Sequence, residues 1–119
     1  MRSHHNLNVW KQAMALVKNI YKITSTFPAS EIYGLTNQIR RSAVSIPSNI
    51  AEGAARSGNK EFLKFLFIAR GSLSELETQL LIASELGYIQ ESENQNIISE
   101  IEEIFGLLGG LIKSIQKRK

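Results

Sequence analysis

The spacing of the apolar residues constrains the fold of this chain more than any other feature. Along the clearest stretch, apolar side chains recur at steps of four and three over three heptads. Such steps keep side chains on one face of an α-helix, whereas a half-buried strand needs steps of two. The same spacing recurs in the rest of the chain, so we expect an all-α protein. The residues of that stretch are Phe62, Leu66, Ala69, Leu73, Leu76, Leu80 and Ala83.

Prolines and glycines divide this pattern into four helices. The Phe27-Pro28 pair ends the first helix, Gly58 follows the second, and Gly87 ends the third. Four helices of similar length joined by short turns are typical of an antiparallel up-down four-helix bundle. We expect one such domain over residues 1–119, with the second helix kinked at Pro47 because proline removes a backbone donor there. The predicted helices span residues of about 8–26, 35–57, 59–86 and 92–117.

Small residues are concentrated in the second and fourth helices. Eight positions between Ser42 and Ala55 are Ser, Ala or Gly, which would let a neighbouring helix come close. In the fourth helix, Gly106, Gly109 and Gly110 each cost roughly 1 kcal/mol relative to alanine. These glycines suggest a close helix crossing, and the alternative is a locally weak helix.

The composition removes most kinds of catalytic chemistry. The chain has no cysteine and no aspartate, and its two histidines are His4 and His5. A di-metal carboxylate site in a bundle needs histidines on its helices, and a Ser-His-Asp triad needs both histidine and aspartate. We therefore expect no enzyme activity, no metal, no cofactor and no small-molecule substrate.

The apolar runs are too short for membrane insertion. The first residues lack the apolar stretch of a signal peptide, and the longest run, Phe65–Ala69, has five residues. A membrane span needs roughly 18. We expect a cytoplasmic protein that makes no contact with a membrane.

Charge is distributed unevenly along the chain, although its formal sum is only +3. Residues 1–70 contain ten Lys and Arg against three Glu, whereas residues 71–119 contain four against eight. One interpretation is that the basic half contacts an anion such as a nucleic acid. The other is that the two halves attract each other within or between subunits.

Six cations are the candidates for contact with phosphate. Three of them form a line at offsets of seven and four on one side of the first helix, and three belong to the second helix. A polar strip along that second helix has the alternative role of fixing helix register or subunit contacts, and it consists of Gln38, Arg41, Ser45, Ser48, Glu52 and Arg56. The six candidates are Lys11, Lys18, Lys22, Arg40, Arg41 and Arg56.

The third and fourth helices carry more apolar residues than one bundle needs. A bundle helix requires about three core-facing residues in seven, yet seven of the eight residues from Phe62 to Ala69 are apolar. We expect the additional residues to form a homo-oligomer interface. The alternative is a wide core face that absorbs them. The interface candidates are Leu63, Phe67, Ile98, Phe105 and Ile112.

Several blocks of sequence, taken in order, resemble one known family. The chain resembles the four-helix bundle proteins encoded in intervening sequences of bacterial 23S ribosomal RNA genes. The similarity covers nearly the whole chain, and its most specific block runs from Ser45 to Gly53. Ser42 stands where the family pattern would have alanine. The blocks are Leu7-Asn-Val-Trp10, Phe27-Pro28, Glu31-Ile-Tyr-Gly-Leu35, Gln38-Ile-Arg-Arg41, Ser45-Ile-Pro-Ser-Asn-Ile-Ala-Glu-Gly53 and Ala69-Arg-Gly-Ser72.

The resemblance implies a pentameric ring of four-helix bundles and, for most members, no established activity. A related branch, the accessory protein of diversity-generating retroelements, is a basic pentameric barrel that binds nucleic acid and a reverse transcriptase. In a pentamer, the formal charge of +3 per chain would add up to about +15, enough for salt-sensitive contact with phosphates.

Two functions follow from these observations. The first is a non-enzymatic homo-oligomer, pentameric on the resemblance, that binds RNA or DNA weakly through its cations. The second is a protein–protein scaffold that uses its apolar surface and binds no nucleic acid. Binding to nucleic acid across a salt series separates the two.

Overall fold

The computed structural model describes residues 3–118, and over that range it contains helices and no strand. This confirms the predicted all-α class and four-helix bundle. The first and last residues of each helix lie within two residues of the predicted bounds. Single 3-10 turns over Ser3–Asn6 and Ala29–Glu31 flank the first helix. The helices are α1 (Asn8–Thr24), α2 (Leu35–Ala55), α3 (Asn59–Glu85) and α4 (Glu91–Gln116).

One core fills the space between the four helices. α1 and α3 each pack against both α2 and α4, in a particle of 48 × 24 × 23 Å. The apolar stripes supply that core, in which Leu16, Ile46, Leu76 and Leu108 are fully buried. Within the described range, no helix combines the length and the apolar character needed to cross a membrane.

Pro47 is buried inside α2, and the helix continues through it from Leu35 to Ala55. The other core-facing residues of this helix include Ile39, Ile46 and Ile50, which are fully buried. A kink at Pro47 and the antiparallel up-down order of the helices stay predictions.

The connection between α1 and α2 contacts the connection between α3 and α4. The Tyr88 hydroxyl donates a hydrogen bond of 3.0 Å to Glu31 Oε2, while Glu31 Oε1 accepts one of 3.1 Å from the Leu35 backbone N–H. The ring centroids of Tyr88 and Phe27 are 5.5 Å apart. The bond to the Glu31 carboxylate, with desolvation by burial, raises the pKa of Tyr88. Glu31 thus joins the start of α2 to the far connection.

α2 and α3 approach each other closely, as the small residues of α2 predicted. A Cβ added to Gly53 would lie 2.8 Å from the Phe65 Cβ and 3.2 Å from the Phe62 backbone oxygen. Farther along the same interface, the hydroxyls of Ser45 and Ser72 are 2.8 Å apart and share a hydrogen bond. Larger residues at these positions of α2 would push the helices apart, so the small side chains set the interhelix distance.

α3 ends at Gly87, as predicted, through a left-handed turn. Gly87 has φ of 80°, a conformation that glycine adopts without steric cost. The Tyr88 N–H donates to the Ala83 oxygen at 2.9 Å, and the Gly87 N–H donates to the Ser84 oxygen at 3.0 Å. This pair of bonds is a Schellman motif, which satisfies carbonyls at the end of the helix.

The prediction of a close crossing at the α4 glycines is wrong within this chain. No heavy atom beyond the local backbone lies within 4 Å of a Cβ built on Gly106, Gly109 or Gly110. Gly106 and Gly110 are exposed. Their side of α4 faces open space, so these glycines lower helix propensity without allowing any close packing inside the bundle.

A polar contact joins α1 to α4. The Asn19 side-chain amide donates a hydrogen bond of 2.7 Å to Glu100 Oε1. Burial raises the pKa of Glu100, and the nearby charge of Glu103 adds to the effect, whereas the bond from Asn19 opposes it. Keeping this carboxylate ionised at neutral pH therefore costs folding free energy.

The Gly53 contact generates a stability prediction. We expect Gly53→Ala to lower the free energy of unfolding by about 1 kcal/mol, because overpacking costs roughly 1–3 kcal/mol and alanine regains about 1 in helix propensity. The matched control, Gly106→Ala, should raise it by up to about 1 kcal/mol, because its methyl group meets open space. Denaturant unfolding of both variants measures this difference. Equal effects of the two substitutions would contradict the close contact.

The Glu100 environment generates a prediction about pH. Because folding raises the pKa of Glu100, this carboxyl contributes a stability that is fully present below the pKa of the unfolded chain, about 4.5. That stability is lost as the pH rises through the pKa of the folded protein. Glu100→Gln should therefore stabilise the protein more, relative to the native sequence, at about pH 7 than at about pH 4. Urea unfolding at both pH values tests this, with Glu102→Gln as the control for charge removal. A pH-independent difference for Glu100→Gln would refute it.

Candidate nucleic-acid interface

Lys11, Lys18 and Lys22 lie together on the exposed side of α1. The opposite side of this helix is buried through Leu16 and Ile20, so the offsets of seven and four turn all three ammonium groups to solvent. Among the residues that the structure describes, none of these lysines forms an ion pair. The line is therefore an exposed row of positive charges, of which Lys22 also borders a cleft lined by Glu93 and Glu100.

Arg40 is held between α1 and α2. Its Nε donates a hydrogen bond of 2.8 Å to Thr24 Oγ1, and its guanidinium carbon lies 4.5 Å from the centre of the Tyr21 ring. Thr24 in turn donates to the Ile20 backbone oxygen at 2.7 Å. The guanidinium thus makes a cation–π contact and a partly buried hydrogen bond at the end of α1. Arg40 is therefore held by contacts within the chain, which the sequence prediction did not include.

Arg41 follows Arg40 in the chain but points elsewhere, since neighbouring positions on a helix are about 100° apart. It is exposed, and it lies on the rim of two clefts. Between α2 and α3, a cleft of about 450 Å³ includes Gln38, Ser42 and Gln79. The cleft on the other side of Arg41, about 620 Å³ in volume, opens toward α1. Its lining residues are Tyr21, Ile32, Tyr33, Thr36, Asn37, Arg40, Arg41, Val44 and Ser45.

Arg56, just beyond the end of α2, is already paired with a carboxylate. One of its terminal nitrogens donates to Glu52 Oε2 at 2.7 Å, and its guanidinium lies 5.2 Å from the centre of the Phe65 ring. Both side chains of the ion pair are about half exposed, so the pair is weak and a phosphate could displace it. Arg56 nevertheless offers less free charge than Arg41.

The polar strip of α2 divides between the two roles that its sequence left open. Ser45 bonds Ser72 across the α2–α3 contact, and the Asn49 amide donates to the Ser45 backbone oxygen at 2.8 Å. The Ser42 hydroxyl donates to Glu75 Oε1 at 3.2 Å. These serines form a seam between helices, whereas Arg41 and Gln38 remain exposed.

The predicted interface residues lie mostly inside the chain. Ile112 is 4% exposed and belongs to the core, so the prediction that it forms part of a free surface is wrong. Leu63, Ile98 and Phe105 are partly buried against the core, because the apolar faces of α3 and α4 are wide enough to absorb them. Phe67 alone of the five is exposed, at 41%, with the Arg70 guanidinium 5.0 Å from its ring centre.

Sequence reasoning missed most of the apolar residues that do remain on the surface. They fall into one group on α1, α2 and their connection, and another on the outer side of α3. The second group could have been found by noting that large residues of α3 stand outside its four-three stripe. The exposed residues are Met14, Tyr21, Ile32, Tyr33, Val44, Phe67, Ile68, Leu81, Ile82 and Leu86.

Titratable groups form no obvious reaction centre. Over residues 3–118, no three His or Glu side chains are grouped so that they could hold a metal ion. Glu100, with its raised pKa, lies in a cleft of about 310 Å³ next to Asn19 and Lys22. Its hydrogen-bond partner is an amide, which can neither attack a substrate nor accept a proton from one at neutral pH.

Comparisons with known proteins show the fold and the family of this chain. One solved structure with similar fold is a protein of unknown function from the S23 ribosomal protein family of Bacteroides thetaiotaomicron. It matches with a TM-score of 0.79 and 27% sequence identity, over 88% of this chain and 98% of that one. The comparison with curated proteins gives no match. The family model of the 23S rRNA-intervening sequence proteins matches residues 5–110, and the chain therefore belongs to that family.

Proposed function

We propose that this protein is a cytoplasmic, non-enzymatic homo-oligomer that binds RNA or DNA through weak electrostatic contacts. The observation that carries the proposal is a set of four exposed cations on α1 and α2. Lys11, Lys18 and Lys22 project from α1, and Arg41 projects from the neighbouring helix α2. No carboxylate forms an ion pair with these four residues within the described range.

Oligomerisation supplies the charge that a single chain lacks. One chain has a formal net charge of only +3, and isolated surface charges are strongly screened at physiological salt. Repeating the α1 lysine line around a ring adds phosphate contacts in parallel, and each contact releases a counterion. We propose five copies, as the family resemblance implies.

Two separate apolar surfaces support contact between copies. The outer side of α3 exposes Phe67, Leu81 and Ile82 among its larger residues. A groove between α1 and α2, about 340 Å³ in volume, is lined by Met14 and Val44 and contains no Lys, Arg or Glu among its described residues. If the α3 surface of one copy enters the groove of the next, the contact is heterologous, and such contacts form a ring when the rotation between copies closes.

A charged variant of α3 tests the oligomer. Phe67→Glu with Leu81→Glu should reduce the assembly to single chains and leave the helical circular dichroism intact, because both side chains are exposed in the chain. The control, Ser99→Glu with Ser114→Glu, adds the same charge to exposed positions of α4. Light scattering gives the mass of each. An unchanged mass for the α3 variant would show that its outer side is not the interface.

A salt series tests nucleic-acid binding. Replacing Lys11, Lys18 and Lys22 with glutamine should weaken binding to RNA and DNA and make the plot of log affinity against log salt shallower, by up to about one per lysine. The control replaces Lys113, Lys117 and Arg118 with glutamine, which removes the same charge from the end of α4. Fluorescence anisotropy measures both. If the two triple variants bind equally, the α1 lysines have no specific role.

The alternative function is a protein–protein scaffold, favoured by the large apolar residues that stay exposed in the described part of the chain. Such a protein would bind its partner through the α3 surface or the α1–α2 groove. The absence of any nucleic-acid binding at low salt, with the oligomer intact, would favour the scaffold and remove the electrostatic proposal.

A further inference from the structure

We infer that the cleft between Tyr33 and Arg41 binds an unstacked nucleotide of a single strand, with the base on Tyr33 and the phosphate on Arg41. This inference rests on the proposed nucleic-acid binding and goes beyond it, because it names the form of nucleic acid and the residues that hold it. It also separates this cleft from the lysine line on α1, which would contact phosphates of any strand.

The charge of the cleft fits an anion. Arg40 and Arg41 both line it, and none of its lining residues is acidic. The one acidic residue in the adjoining connection, Glu31, directs its two oxygens to the Leu35 N–H and the Tyr88 hydroxyl. No carboxylate therefore lies inside this cleft, although Glu75 lines the neighbouring cleft that Arg41 also borders. The planar guanidinium group matches the oxygens of a phosphate in a bidentate contact.

The two arginines are prepared for different tasks. Arg40 is held on the Tyr21 ring and bonded to Thr24, so its position is fixed before any ligand arrives. Arg41 is exposed and, over the described residues, makes no ion pair. Arg40 forms part of the cleft wall and gives it a positive electrostatic potential. The Arg41 guanidinium remains available for a bidentate contact with a phosphate.

Tyr33 provides the surface for a base. It is 93% exposed, which is unusual for a large aromatic residue, and it follows the 3-10 turn that leads to α2. Ile32, its neighbour, is 47% exposed. An exposed aromatic ring beside a cation is the arrangement by which single-stranded nucleic acids are bound, because every base has a face that can stack.

The cleft wall has polar groups that could meet a base edge. Thr36 lines it and is only 2% exposed, yet its hydroxyl has no hydrogen-bond partner among the described residues. Asn37 lies beside it at the exposed rim. A buried hydroxyl without a partner costs free energy, which a ligand can recover after a small adjustment of the wall. The volume of about 620 Å³ lies within the range of small-ligand sites.

A single strand fits this site better than a duplex does. In a duplex, the faces of each base are covered by its neighbours, so stacking on Tyr33 would first require the base to leave the helix. An unpaired nucleotide does not have to leave a duplex, so most of this free-energy cost is absent. The cleft should therefore prefer single-stranded DNA or RNA, including the loops of folded RNA.

Anisotropy with a labelled short oligothymidylate, and with a duplex of equal length, tests the inference at low salt. Tyr33→Ala should weaken single-strand binding about 5- to 100-fold, the range measured when one stacked base loses its aromatic partner, and Tyr33→Phe should retain it. Arg41→Gln should weaken it as well and lower the salt slope by about one. Duplex binding should change little with the Tyr33 variants. Arg118→Gln, which removes an exposed charge just beyond the end of α4, is the matched control.

Each other outcome is decisive. If Tyr33→Ala and Arg41→Gln bind the single strand as Arg118→Gln does, the inference is wrong, although the proposed nucleic-acid binding stands. If the native protein binds no nucleic acid, both fail. If free thymidine monophosphate bound as tightly as the strand, the cleft would be a site for free nucleotides, and the inference of single-strand binding would be wrong. A change of oligomer mass for Tyr33→Ala would make the cleft a contact between copies and overturn it too.

Discussion

The close contact between α2 and α3 determines how the rest of the bundle is arranged. At Gly53 the two helices are so near that no side chain fits between them, and the shared hydroxyl bond of Ser45 and Ser72 holds the same face farther along. Arg41 borders this contact, because it lines the cleft between α2 and α3 and its side chain is exposed there. Arg40, the next residue toward the N-terminus, turns toward α1 instead.

The division of labour between the two arginines follows from this arrangement. Arg40 contributes to the fold through Thr24 and the Tyr21 ring, and it forms one wall of the cleft at the same time. Arg41 contributes nothing to the core and is available to a ligand. The α1 lysines extend the positive surface along the neighbouring helix. Packing and charge are thus determined together within a few turns of α1 and α2. Most of the acidic residues belong to the other two helices, α3 and α4.

Much of the fold could be predicted from the chain itself, because helix period and chain breaks are local properties. The stripe from Phe62 to Ala83 and the stop at Gly87 locate α3 without any tertiary information. The close approach of α3 could be anticipated from the small residues of α2. The predictions that failed depend on the width of the core, which is not a local property of the sequence. Ile112 lies in the core, whereas Phe67 is exposed. The α4 glycines failed for the same reason, since only the packed structure tells which side of a helix meets a neighbour.

The candidate site was predicted in part. The offsets of Lys11, Lys18 and Lys22 identify one exposed line, but the engagement of Arg40 and the exposure of Tyr33 depend on how α1 meets α2 and could not be inferred from spacing. The central claim is that copies of this chain cover its remaining apolar surface and add their charges together. Sedimentation equilibrium of the unmodified protein over a dilution series tests it most directly. The account predicts a particle of about five times the chain mass of 13.3 kDa, and a compact single chain at every concentration would contradict it.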